Sequence, residues 1–547
     1  MAATTTWHGR AHVRGSTQST RLFLLTFSLI GLQFCWGTEQ TYATPYLLAL
    51  GLSKGGMSLV WIAGPLSGLI MQPIIGMISD KSTSRWGRRR PFMVGGTLAV
   101  AVCLVVLGWA KEIVACFVEG AEERRRWTIW VAVGDIYVLD FVINIAQSTC
   151  RALVVDSLPV SQQQLGAAWV TRMVGVGHML VFGIGALDLE VLMPAGLFGD
   201  TQFKKVCSIA ALAMVISQFV TCWAVEERTQ VSNSDDPSTE QQSLLSIIYQ
   251  IYHRLLHLPK RIQTICFVQF WSWIGWFPLL FYGSTWVGEI YLRNHAPSFS
   301  GDTLSQVGRV GSTALIVHST VGFATSIVLP WLVTSPGDEV PEKGFTPRPP
   351  ETLRPFLEKF SLRKPKLLNV WTAGNLLFGV SMLFAPMVKS VSFATFLMAF
   401  VGVPSAIAGL AVGTYIGIEV NKLGNTLPTT TTHHHTSSVE EKEKFLPTSP
   451  SSSTSSSSAP DSPSAELSGI YLGILNIYTT LPQFVGTAIS WVVFSILEPG
   501  KSPELAKDAH PDEHHGTEGV SGIAVCLFIG ALCSFMAAKV GRGLKED

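Results

Sequence analysis

Four polar residues, Asp140, Asn144, Gln147 and Arg151, recur at helical spacing in the mainly apolar run WVAVGDIYVLDFVINIAQSTCRALVVD. Counted from Asp140, they sit at offsets 0, 4, 7 and 11. At about 100° per residue, all four fall within ~60° of one helix face. A charge in the middle of a bilayer costs roughly 2.5–3.5 kcal/mol on insertion scales. Ionisable groups kept there at such a cost mark ion or substrate paths. Asp140 is the deepest acid of the stripe, and a carboxyl at that depth suits proton exchange. Asn144, Gln147 and Arg151 offer hydrogen bonds to a polar solute. The alternative is a purely structural stripe that bonds one helix to another. Arg151 lies about 16 Å beyond Asp140 at ~1.5 Å per residue, so its expected partners are a substrate, a neighbouring helix or Asp156. Glu39, in CWGTEQTYATPYL, is a second deep acid, fit for a proton site or a substrate acceptor. His178 and His318 are lone histidines in apolar runs and read as packing residues. Trp276 and Phe277, in QFWSWIGWFPLLFYGSTWVGEIY, offer flat faces to the apolar side of a sugar ring; part of that aromatic set suits the interfacial belt instead.

These residues need membrane-spanning elements to hold them. The chain has 547 residues, 48% hydrophobic and only 14% charged, and a mean hydropathy of +0.35. A span needs about 20 apolar residues. Twelve runs are long enough, near 22–48, 58–79, 92–110, 128–153, 168–187, 206–225, 262–288, 308–334, 367–388, 391–419, 467–497 and 521–540. Helices are the economical reading, because backbone groups in lipid must pair internally. The fold class expected is an all-α membrane protein of two six-helix halves. Its parts are a tail (1–21), a first half (22–225), a connector (226–261), a second half (262–540) and a tail (541–547). Within the connector, residues 243–259 read as an amphipathic helix on the inner leaflet. Residues 425–465, rich in serine and carrying His433, His434 and His435, cannot bury a core and read as disordered.

The segment SDKSTSRWGRRRPF, residues 79–92, places Lys81, Arg85, Arg88, Arg89 and Arg90 between two spans. Cations in short loops favour the cytosolic side, which sets both termini inside. One loop disagrees: residues 111–127 should lie outside, yet hold Arg124, Arg125 and Arg126. The basic cluster also has acids within reach. Asp80, Arg85, Arg88, Arg89, Arg90, Asp156 and Arg172 form an expected cytosolic gate, with Asp156 the partner of Arg88 and of Arg172, latching the outward-open state. The plainer reading is a topology signal alone.

The net charge of +1 gives no field to attract nucleic acid. Nine cysteines with no CxxC argue against a zinc site or a disulfide framework. No nucleophile–base set and no phosphate-binding glycine loop stands out, so an enzyme is not expected. No cofactor is expected beyond a coupling proton.

Longer matches then appear. GPLSGLIMQPIIGMISDKSTSRWGRRRPF (64–92) and LDFVINIAQSTCRALVVD (139–156) resemble the signature blocks of the sucrose–proton symporter family, within the glycoside–pentoside–hexuronide:cation symporters. IGWFP (274–278) and LGILNIYTTLPQF (472–484) agree with it, and TEQTYATPYLLALGLSK, with its acid Glu39, is closest to fungal and animal members. The resemblance implies a major-facilitator fold and proton-driven uptake of sucrose, maltose or related α-glucosides. It implies that Asp140 couples the proton and that Arg151 is required; Glu39 stays a candidate proton site on its depth alone. Within the matched blocks, Gln72, Asn144, Gln147, Arg151, Trp276, Asn476 and Gln483 are the expected substrate-binding set. Thr149 and Ile143 depart from the family pattern, and Ser405 and Leu410 stand where tryptophans are expected; these bear on substrate choice. The implied partners are a small sugar and the lipid bilayer, with one copy sufficing, most naturally in the plasma membrane or else in a vacuolar or other organelle membrane. Two other readings fit the same residues: a carrier of a different solute in an organelle, and a sugar sensor that does not transport.

Overall fold

The computed structural model describes residues 6–8, 12–80, 82–159, 162–194, 196, 198–227, 229–231, 258–295, 302–334, 364–426, 463–506, 513–514, 516 and 519–544. The amphipathic stretch 243–259, except its last two residues, lies outside them. So do Lys81, most of 335–366, and the serine-rich segment with its histidines, except at its two ends.

Among the described residues, twelve helices are long and apolar enough to cross a membrane. They are α1 (Gln18–Ala49), α2 (Lys54–Asp80), α3 (Arg90–Gly108), α4 (Ala121–Ser157), α5 (Leu165–Ala186) and α6 (Gln202–Ala224). The second set is α7 (Lys260–Asn294), α8 (Thr303–Leu332), α9 (Leu367–Met387), α10 (Val391–Glu419), α11 (Gly473–Leu497) and α12 (Gly522–Gly541). Each expected run is present, mostly within longer helices. Residues 425–426 and 463–465, read as loop, continue the helices that carry α10 and α11. The amino-terminal tail is not wholly separate: Thr6–His8 pairs with Thr229–Val231, and His12–Val13 with Val225–Glu226, both antiparallel.

Local chemistry fixes several helix starts. Thr17 caps α1, Ser53 caps α2, Thr201 caps α6 and Asp302 caps α8, each accepting from a backbone N–H of the first turn. Within α1, Glu39–Ala43 forms a π-helical turn. Such turns are often found at functional sites, because they re-aim side chains.

In the first half, α3 packs on α4 and α6, α1 on α5 and α6, and α2 on α4. In the second half, α7 and α9 pack on α12, and α8 on α10. The halves meet along α2–α11, α5–α8 and the contact of α1 with α7 and α8. Helices α7 and α12 cross where Gly275 faces Gly530: a Cβ on Gly275 would sit 2.7 Å from the Gly530 carbonyl oxygen. Only hydrogen fits between the two backbones there.

Gly530→Val should therefore overpack the α7–α12 crossing and cost about 1–3 kcal/mol. The check is denaturant unfolding in detergent micelles, with Gly409→Ala as the control, since a Cβ at Gly409 meets nothing within 4 Å.

Candidate functional site

The stripe on α4 meets a face of α2 made of small residues. A Cβ on Gly64 would stand 3.9 Å from both carboxylate oxygens of Asp140. One turn on, Asn144 Nδ2 donates to Ser67 Oγ (3.0 Å) and to the Asp140 carbonyl (2.9 Å). Gln72 Nε2 donates to Asn144 Oδ1 at 3.2 Å. From α1, Trp36 Nε1 donates to Gln147 Oε1 at 2.8 Å. Thus Gln72, Asn144 and Gln147 are drawn into one polar seam between α1, α2 and α4.

Exposure is graded along the stripe. Asp140 and Asn144 are buried, Gln147 is half-buried and Arg151 is exposed. The stripe therefore runs from a sealed centre toward the end that carries the basic loop.

Glu39, at the start of the π turn, is fully enclosed, and Asp140 is 1% exposed. Among the described residues, no hydrogen-bond donor reaches either carboxylate. The charges of Asp140 and Asp135 both act on Glu39, which places three acids in the interior of the first half. Asp135 was not singled out from the sequence. It lies five residues before Asp140 and off the stripe, beside Cys103 of α3. The signal available was simply an acid inside a span.

The second half contributes less polar chemistry than expected. Trp276 is packed on Phe378 of α9, ring centroids 4.5 Å apart, and is buried. It is a core residue of the second half and offers no open face to a sugar. Phe277 is likewise enclosed, against Phe281, Tyr282 and Gly486. Asn476 is half-buried on α11. Gln483 turns its amide back to the Thr479 carbonyl, 3.0 Å away. His178 stacks on Phe182, and His318 bonds the Met398 carbonyl through Nδ1. The two histidines are within electrostatic reach of each other across α5–α8.

At the basic loop, Arg89 is buried and central. Its Nε donates to Asp156 Oδ2 at 2.8 Å, and its two terminal nitrogens donate to Ser79 Oγ and Asp80 Oδ1. Arg88 Nη2 pairs with Asp156 Oδ1 at 2.8 Å. Glu227, another residue not foreseen, accepts the backbone N–H groups of Arg88, Arg89 and Arg90 at 2.8–2.9 Å. A carboxylate on the first turn of α3 satisfies donors that the helix cannot pair itself. Arg90 donates to the Trp86 and Cys222 carbonyls. Arg85 is exposed. Arg172 lies over the Trp169 ring, 5.7 Å from its centroid, rather than on Asp156. The named partners Asp80, Asp156 and Glu227 all belong to the first half and its exit. The cluster contains the expected Arg88–Asp156 pair, and it is assembled in a structure whose cross-half ion pairs sit at the opposite end. It staples the ends of α2, α3, α4 and α6.

Asp156→Asn should weaken this staple by about 1–3 kcal/mol, because Arg89 keeps a buried charge with fewer acceptors. Arg85→Ala, at an exposed position, should change stability by less than about 0.5 kcal/mol. A shared denaturation assay of both variants checks the contrast.

The family described as MFS/sugar transport protein matches residues 26–281. The chain is 28% identical to a general alpha-glucoside permease of Schizosaccharomyces pombe, over 97% of this chain and 94% of that one. It is 28% identical to a sucrose transport protein of Arabidopsis thaliana, over 57% of this chain and 63% of the other. Among solved structures, the inward-open xylose transporter of E. coli superposes with a TM-score of 0.52 at 13% identity, covering 96% of each chain. A point mutant of the nucleoside transporter NupG gives 0.51 at 13% identity, covering 96% of this chain and all of the other. These relatives agree with the family resemblance read from the signature blocks. With twelve helices among the described residues long and apolar enough to cross a membrane, the chain is an integral multi-pass membrane protein that shares the fold of these transporters and is similar in sequence to sugar carriers of the major facilitator superfamily.

Proposed function

We propose that the protein moves sucrose, maltose or a related α-glucoside across a membrane together with a proton, by alternating access between its two halves. The observation that carries this reading is the pair Glu39 and Asp140: two enclosed carboxyls at the sealed head of a polar stripe that opens toward one end. The likeness to a fungal general alpha-glucoside permease and a plant sucrose transport protein supplies the solute class.

In this reading a carboxyl without protein donors is held neutral by a proton or charged by water. Closing one end and opening the other changes which water it meets. Arg151, exposed on the stripe, presents guanidinium donors to sugar hydroxyls. Gln72, Asn144 and Gln147 already bond within the protein, so they shape the seam and share their remaining valences with the solute. Asn476 and Gln483 would meet the sugar from α11. The basic-loop end faces the cytosol by its cations, in the plasma membrane. Both halves lie in one chain, so one copy suffices, and no cofactor beyond the proton is needed.

Uptake of radiolabelled sucrose and maltose in transport-deficient yeast tests the proposal. Wild type should be stimulated at pH 5 relative to pH 7.5. Asp140→Asn should lose at least about tenfold of that uptake, and Arg151→Lys should raise KM, since an ammonium lacks the planar donor fork. No uptake of either sugar, with the protein shown at the cell surface, would overturn the assignment.

A further inference from the structure

The end opposite the basic loop is closed by ions that belong to different halves. Lys54 is the first residue of α2. Its Nζ lies 2.6 Å from Glu289 Oε1 of α7 and 3.0 Å from Glu498 Oε2, just past α11. The three side chains are 0%, 2% and 4% exposed, so water barely reaches them. Arg293, one turn after Glu289, pairs with Glu504 at 2.9 Å and stands 3.9 Å from Glu498. Three carboxylates therefore share two cations, and one of those cations comes from the other half.

A lysine at the first position of a helix is electrostatically misplaced, since that terminus already carries positive partial charge. An ammonium is also strongly hydrated. Lys54 can be dry only while Glu289 and Glu498 face it together. Buried ion pairs give little net stability, yet loss of one partner is costly. Both properties suit a contact made in one state and dissolved by water in another. The other flank repeats the pattern: Arg309 of α8 pairs with Asp188, after α5, at 2.5 Å. Deeper in the same seam, Thr44 Oγ1 donates to the Phe281 carbonyl and Ser284 Oγ to the Gln40 carbonyl.

We infer that Lys54, Glu289 and Glu498 form a separable ionic lock that holds this end of the seam shut, with Lys54 as its removable member. The lock rests on the alternating-access reading above, in which Lys54 is a positioning residue rather than one that touches the solute. When the halves part, Lys54 leaves with the first half into water, while Arg293 stays with Glu498 and Glu504. Burial alone would raise the Glu504 carboxyl, but Lys54 and Arg293 outweigh it and hold the group below the usual carboxylate range. Its contribution is therefore fully present above the ordinary value of about 4.3 and is lost only as pH falls through the lower folded value. The Arg293–Glu504 pair therefore persists at pH 5.

The test needs no sugar. Ser284 is fully enclosed behind the lock. In the full-length Ser284→Cys protein in detergent, a membrane-impermeant maleimide is applied and labelling of residue 284 is followed by peptide mass. Adding Lys54→Gln should speed labelling about tenfold, within the usual range of conformational coupling. Lys54→Arg, which keeps the charge, should stay slow. Labelling at the parent rate in Lys54→Gln, or labelling of Lys54→Arg as fast as Lys54→Gln, would overturn the lock. Cys35, enclosed in the first half, reports unfolding if it labels. In that event Glu498→Gln, which removes one arm only, replaces Lys54→Gln, and an unchanged rate there counts equally against the lock. Absence of sugar uptake would sink the proposed function but leave this readout intact.

Discussion

The arrangement of the chain depends on two carboxyl groups, Glu39 and Asp140, that are enclosed by protein and given no donor by the described residues. A charged group in an apolar setting must be neutralised, paired or hydrated. Here pairing is withheld, so water access and protonation decide its state. That constraint explains features that would otherwise look unrelated. The α2 face opposite Asp140 is Gly64, Ser67 and Gly68, residues too small to fill the seam. The π turn that begins at Glu39 rotates that acid into the first half. Trp36 closes over Gln147 from the same helix. The first half concentrates polar chemistry, whereas near its middle the second half presents packed aromatics such as Phe277 and Trp276.

Much of this was legible in the sequence, because the governing signals are local. A run of twenty apolar residues has one economical conformation in lipid. Four polar residues at offsets 0, 4, 7 and 11 share a face whatever the neighbours are. Boundaries were less legible where polar residues continue a helix. Helix α4 begins at Ala121, so Arg124, Arg125 and Arg126 are its first turns rather than loop. Their anomalous charge then has a local cause. Arg125 Nε donates to the Leu50 carbonyl at the end of α1 (2.9 Å), and Arg124 Nε to the Val118 carbonyl. Cations at a helix carboxyl end satisfy orphan carbonyls and the dipole, and this outweighs their topological preference.

What sequence could not reveal is pairing across distance. Lys54 and Glu498 are 444 residues apart, and nothing local to either names the other. Glu227 capping α3 is a similar case. Trp276 failed for a different reason. An aromatic residue in a span can pack inward, face lipid or line a seam, and its type does not choose among these; the contact with Phe378 does.

The two ends of the molecule use the same chemistry for different purposes. Around Asp156, arginines join helices of one half, so those pairs survive any movement of that half as a body. Around Lys54, the ions join different halves, so they exist only while that end is closed. Because a buried ion pair adds little net stability, neither set is explained as glue. Within a half, a geometrically strict pair rigidifies the unit that moves. Between halves, the same strictness makes the contact all-or-none, since a lysine withdrawn by a few ångströms is hydrated rather than weakly bound. Rigid halves joined by a breakable seam are what a carrier needs if an enclosed carboxyl is to meet water from one side at a time.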